Sequence, residues 1–183
     1  MRVQPVPRSD ADASDADAMD RFIAEWGEAR PDIDVHYLAT LGRILRLSTH
    51  LREAVDDWLK PFGLSWDVFD LLVTIQRSGN PEGLRPTALY DACLLSSGAM
   101  TNRIDRVEKL GLAVRRPDPD DKRATRVALT RRGRTLAEKA MTEHAAQSCR
   151  IAEQLTASEQ ETLARLLRKL LRSFEEPESD EGA

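Results

Sequence analysis

The sequence has few aromatic residues, 5% of its 183 positions, and no run of 18 uncharged apolar residues. The second absence excludes a membrane-spanning helix. The first, beside a charged fraction of 32%, points to a chain built mainly of helices. Cysteine is scarce: Cys93 and Cys149 lie far apart. With no export feature, reduced thiols and a cytoplasmic location are the expectation. The opening MRVQPVPRSDADASDADA is acidic and lacks an apolar centre, so it does not read as a secretion signal. Also missing are a Gly-rich phosphate loop, a nucleophile elbow and an H-E-x-x-H pair. His36, His50 and His144 keep no metal-ligand spacing with one another or with the cysteines. These absences argue against an enzyme, a metal and a cofactor.

An overall positive charge is lacking as well, the formal net charge being -4. The distribution is uneven. Between Ser96 and Arg134 stand 11 Lys/Arg against 5 Asp/Glu, while the remainder carries 16 against 26. A local basic footprint counts for more than the total when phosphates are the partner.

Residues 1–17 read as a disordered acidic tail. Met19, Phe22, Ile23 and Trp26 recur at helical spacing, predicting a short helix over 18–30 that Pro31 stops. Asp34 caps a long helix over 34–60, and Ser65 caps the next one, with Val68, Phe69, Leu72 and Ile75 on one face. A loop at 78–83 leads to a short helix from Pro86 to about Cys93. The run SSGAMTNRIDRVEKLG then gives a second helix, with Ser96 or Ser97 as cap and Gly111 as stop. LAVRR and RATRVAL read as strands around PDPDD. Thr130 opens a polar helix, and Thr156 with Glu159 forms a capping box for a last one over an apolar stripe from Leu163 to Phe174. Residues 176–183 read as a second tail. The expected fold is mainly α (α+β), a winged helix-turn-helix spanning 65–129 between long helices at 34–60 and 130–175.

On a helical wheel Met100, Ile104 and Val107 face inward, while Asn102 and Lys109 face out, with Thr101 and Arg106 on the shoulders. Such a face fits a DNA major groove, as does that of any polar surface helix; the hairpin that follows favours the groove. Asp and Pro residues set the reversal at 117–121, and Asp121 is placed to orient Arg123 toward a minor groove. Ser97, Arg116, Lys122 and Arg126 complete the expected contact set, and the Arg115–Arg116 pair lies at the first strand.

SSGAMTNRIDRVEKLGLAVRRPDPDDKRATRVALTRRGR resembles the core of the MarR family of transcriptional regulators. The likeness rests on Gly111–Leu112, the D-x-R of Asp121 and Arg123, and the L-T-x-x-G of Leu129, Thr130 and Gly133. It implies a homodimer on a pseudo-palindromic DNA operator, with Leu163, Leu167, Leu170 and Phe174 at the dimer interface; a likeness to the UrtR/PecS-like branch of the family places His50 near that interface too. The extra helix before Asp34 is similar to that of the UrtR/PecS-like branch, which includes urate-responsive repressors. That similarity implies a small anionic ligand on Trp26, Asp70, Arg103 and Arg115, with citrate-like or phenolic anions as alternatives to urate. Trp26 is equally the anchor of its own helix, and Asp70 with Arg103 equally a structural ion pair. The contrasting reading of the whole chain is a winged-helix interaction module whose basic hairpin docks on a protein.

Overall fold

The computed structural model describes residues 16–93, 96–121 and 123–175, and of Ser97 only the backbone. Among them it is mainly helical, with one two-stranded antiparallel sheet, so the expected winged-helix class holds. No helix among the described residues is long and apolar enough to cross a membrane. The chain divides into two compact units, residues 1–55 and 56–183, each taken by itself below.

In the first unit, helix α1 (Ala18–Ala29) starts at a capping box. The Asp17 carboxylate accepts the Met19 and Asp20 N–H groups, and Asp20 accepts that of Asp17. Asp17 therefore belongs to the helix start and not to the tail assigned to 1–17; residues 1–15 of that tail lie outside the described residues. Helix α2 (Leu41–Leu59) begins here, and its Arg43 reaches Asp17 at 2.8 Å and Asp20 at 2.7 Å, tying the two helices at one end. Asp34 lies just before a separate 3-10 turn (His36–Ala39) whose His36 N–H its carboxylate accepts at 2.9 Å, and α2 starts only at Leu41, so the single helix expected over 34–60 is broken near its start.

The second unit is built on α3 (Trp66–Arg77), whose Val68, Phe69, Leu71, Leu72 and Ile75 are buried. Around it pack α4 (Pro86–Ala92), α5 (Ser97–Lys109), α6 (Arg131–Ala152) and the hairpin of β1 (Ala113–Pro117) and β2 (Thr125–Leu129). The strands pair from Ala113 opposite Leu129 to Pro117 opposite Thr125. Ser65 stands at the start of α3 but its hydroxyl caps nothing there; the Trp66 N–H goes instead to the Asp56 carboxylate at 3.0 Å, a partner ten residues back. Helix α7 (Ala157–Glu175) closes the described chain with the expected Thr156–Glu159 box and no buried residue.

Two glycines fix how the hairpin sits. Gly133, one turn into α6, lies against the Leu112 carbonyl so closely that a Cβ would collide with it. Thr130 works at the same junction: its hydroxyl accepts the Gly133 N–H at 3.0 Å and lies 2.9 Å from the Gly111 carbonyl. Gly83, with φ +81°, meets the Val127 carbonyl in the same way. That approach lets Leu84 exchange two backbone hydrogen bonds with Val127, at 3.1 and 2.8 Å, covering the free edge of β2 at that point.

His144 of α6 sits among aromatic rings: Phe69 edge-on at 5.3 Å, Trp58 at 6.1 Å and Trp66 at 6.4 Å between centroids. Its Nδ1 is buried without a partner among the described residues, and burial pushes its pKa below the ordinary value of 6.5. A histidine lowered on folding binds its proton more readily in the unfolded chain, so lowering the pH below about 6.5 favours unfolding. The melting temperature is expected to fall from pH 7 to pH 5, and His144→Phe to lose this component. Superimposable profiles for the two proteins would rule it out.

Candidate nucleic-acid interface

Helix α5 starts at Ser96, whose hydroxyl accepts the Ala99 N–H at 3.4 Å, and stops at Gly111 with φ +68°. Met100, Ile104 and Val107 are buried under it. Thr101, Asn102, Arg106 and Lys109 are exposed, so the polar face is turned to solvent. Gly98, on the same face, has open space around it. The Ser97 side chain and all of Lys122 lie outside the described residues.

The wing separates its arginines into two groups. Arg115 and Arg126 are engaged within the protein. The Arg115 guanidinium meets Asp105 at 2.7 Å and Glu108, both on α5, and its backbone N–H donates to Glu108 at 2.8 Å. This joins β1 to the helix, and the side-chain bond to Asp105 is the first cause holding the Arg115 pKa above its usual value. Arg126, expected on phosphate, instead donates to Asp118 at 2.9 Å and to Asp120 at 3.1 Å. It stands opposite Arg116 in the strand register, and the two carboxylates of the tip neutralise it. Arg116 and Arg123 are exposed, and neither guanidinium has a carboxylate partner among the described residues.

The tip is closed by two successive Asx turns. Asp118 accepts the Asp120 N–H at 2.9 Å, and Asp121 accepts the Arg123 N–H at 3.0 Å. Asp121 thus holds the Arg123 backbone; the orientation of the guanidinium expected of it is not among its bonds. Backbone bonds from Ala124 to Asp121 and from Asp118 to Ala124 complete the loop.

Of the residues assigned to an anion, Arg103 and Arg115 make different ion-pair clusters within the second unit. Arg103 is nearly enclosed, its side chain 11% exposed, and meets Asp70 at 2.7 Å and Asp67 at 3.1 Å, fastening α5 to α3. The half-buried Cys93 lies beside Thr74, with its thiol pKa raised first by burial and then by Asp70. That thiol is poorly placed for redox chemistry. Arg115 makes its own cluster on the other carboxylates of α5. Trp26 is exposed on α1 of the first unit. His50 is exposed and 3.6 Å from Glu53. Leu163, Leu170 and Phe174 are exposed and Leu167 is half-buried.

Reasoning from sequence missed Arg85 and the role of Asp118. Arg85 lies 33 positions before Asp118 and reaches its carboxylate at 2.6 Å. Nothing local to either residue marks that pairing. The bond between Glu108 and Arg115 had a signal, since both flank the Gly111 turn seven positions apart.

The model of the MarR family matches residues 62–124. The HTH-type transcriptional regulator PecS of Dickeya dadantii is 31% identical over 67% of this chain and 74% of its own length. Among solved structures, a MarR mutant from E. coli complexed with operator DNA is 27% identical, covering 76% of this chain and 99% of that one, with a TM-score of 0.66. CouR from Rhodococcus jostii, bound to p-coumaroyl-CoA, is 26% identical over 79% of this chain and 97% of that one, also with a TM-score of 0.66.

Proposed function

Because this chain belongs to the MarR family of transcriptional regulators, we propose that it is a repressor that grips a pseudo-palindromic operator as a homodimer and lets go when a small anion binds. That it is a DNA-binding regulator and not an enzyme follows from the family alone. The observation that carries the finer reading is the division of charge on the wing. Arg115 and Arg126 are neutralised inside the protein, while Arg116 and Arg123 face solvent beside the polar face of α5. In this reading Thr101, Asn102 and Arg106, with Ser97, enter the major groove, and Arg123 at the tip enters the minor groove. Arg116 and Lys122 meet phosphates. Arg126 moves from the contact set to the frame of the wing.

The proposed anion competes for guanidiniums already occupied by carboxylates. Breaking Arg103 away from Asp70 and Asp67 frees α5 from α3, and drawing Arg115 from Asp105 and Glu108 frees it from β1. Either change alters the pitch of the helix, so an anion that binds the loosened form better weakens operator binding. Trp26, indicated by the likeness to the PecS-like branch, supplies the stacking face for a flat ring. Urate is the first choice; the aromatic acyl group carried by the CouR ligand makes a phenolic anion the second.

One set of measurements tests both halves. Binding to a labelled duplex from upstream of the protein's own coding sequence is followed across salt, with log K expected to fall linearly against log salt. Urate, citrate and p-coumarate are then added in turn. One of them is expected to release the duplex and to raise the melting temperature of wild type but not of Arg103→Ala or Trp26→Ala. Equal shifts in all three proteins would remove the anion site; absence of salt-dependent binding would remove the operator reading.

A further inference from the structure

We infer that Asp118, clamped between Arg85 and Arg126, is the positioning residue of the wing and sets the angle at which Arg123 is offered to DNA. The inference rests on the DNA-binding reading above and concerns a residue that touches no nucleic acid in it.

The Asp118 side chain is 0% exposed, whereas Pro117, Pro119, Asp120, Asp121 and Arg123 around it are exposed. A carboxylate withdrawn from water is unfavourable unless charge and hydrogen bonds replace its hydration. Four donors do so here: Arg85 Nε at 2.6 Å, Arg126 Nε at 2.9 Å, Arg126 Nη2 at 3.4 Å and the Asp120 N–H at 2.9 Å. The hydrogen bond to Arg85 is the largest cause holding the Asp118 pKa far below the usual carboxylate range, so the group stays charged at any pH where the protein works. Of the bonds to the Asp118 carboxylate, only that from Asp120 belongs to the turn itself. The two arginines do something else.

They come from two different parts of the fold. Arg126 is on β2 and belongs to the wing itself. Arg85 is the residue on which α4 begins, held at the sheet edge by the Leu84–Val127 bridge that Gly83 permits. Helix α4 in turn packs against α5. A single buried anion thus joins the hairpin to the helix-turn-helix, so that the tip and α5 are presented in one fixed relation. Because the Asp118 N–H also closes the tip loop onto Ala124, next to Arg123, a change at Asp118 is passed directly to that arginine. Asp120 supplies the second carboxylate to Arg126, leaving the pairs balanced and Arg123 outward.

The test is a double-mutant cycle read by fluorescence anisotropy on the same labelled upstream duplex, at low salt where affinity is highest. Asp118→Asn keeps the shape and the bond to Asp120 but removes the charge. It is expected to weaken binding about tenfold, the loss that goes with one misplaced groove contact. In an Arg123→Ala background the same change is expected to cost nothing more, since it acts through Arg123. Arg85→Gln, at a side chain 43% exposed, leaves the Arg126 bond in place and is expected to give a smaller loss, again absent without Arg123. It carries the test should Asp118→Asn fail to fold, with folding checked by circular dichroism. Wild-type affinity in both variants, or equal losses with and without Arg123, overturns the inference while leaving DNA binding intact. A wild type indifferent to duplex DNA removes both readings together.

Discussion

Replacing Leu163 and Leu170 of α7 by Glu is expected to leave a folded monomer whose operator affinity is lower by at least about 100-fold. The reason lies in what α7 shows to solvent. Leu163, Leu166, Leu170, Leu171 and Phe174 recur along one side of the helix, Phe174 being 86% exposed, and the helix buries no residue of its own. A stripe of this width on a helix of 19 residues is normally covered. In the proposed homodimer a second copy covers it, and symmetry then brings two wings to two half-sites. Once one half of the dimer is bound, the other meets its half-site at a high effective concentration, a gain that separates with the protomers. The introduced carboxylates do not enter the core of the second unit, because the leucines they replace are outside it. Sedimentation should give twice the 20.5 kDa chain mass for wild type and the single mass for the variant. A variant that remains double in mass, or a single-mass wild type that binds as tightly, would remove α7 from the dimer.

Capping and turn signals were legible in the sequence because they act within a few residues of one another. Spacing marks Thr156 with Glu159 as a box, Thr130 as the opening residue of α6 and Ser96 as one of two candidate caps for α5, and all three caps appear as hydrogen bonds. The inward set Met100, Ile104 and Val107 was legible for the related reason that helical period decides it. What spacing does not encode is the choice among several carboxylates when an arginine closes. Arg126 had Asp121 and Asp120 near in sequence, yet its shortest bond is to Asp118, which Arg85 also occupies from 33 positions away. Ser65 shows the same limit at a helix start: the nearby hydroxyl caps nothing, and a carboxylate ten positions back takes the neighbouring N–H. The core and the turns follow from local chemistry, whereas the frame of the wing follows from which segments the tertiary fold sets side by side.

Arg123→Ala is expected to lower operator affinity by roughly tenfold to 100-fold and to reduce the salt slope by about one. Of the described arginines of the hairpin, Arg115 and Arg126 are bound to carboxylates, and Arg116 lies along β1 where a phosphate is the natural partner. Arg123 alone of these sits at the reversal itself, with its N–H fixed by Asp121 and its guanidinium exposed. Holding the backbone while leaving the side chain free lets a compact tip carry one cation into a groove too narrow for a helix. A narrow minor groove over A·T pairs has the strongest negative potential, so the loss should depend on sequence. Exchanging A·T for G·C pairs beneath the wing is expected to weaken wild type and to leave Arg123→Ala nearly unchanged. Arg116→Ala, by contrast, should weaken every duplex alike, as a phosphate contact does. If Arg123→Ala loses affinity equally on all duplexes, the tip is reading charge on the backbone and the minor-groove assignment fails.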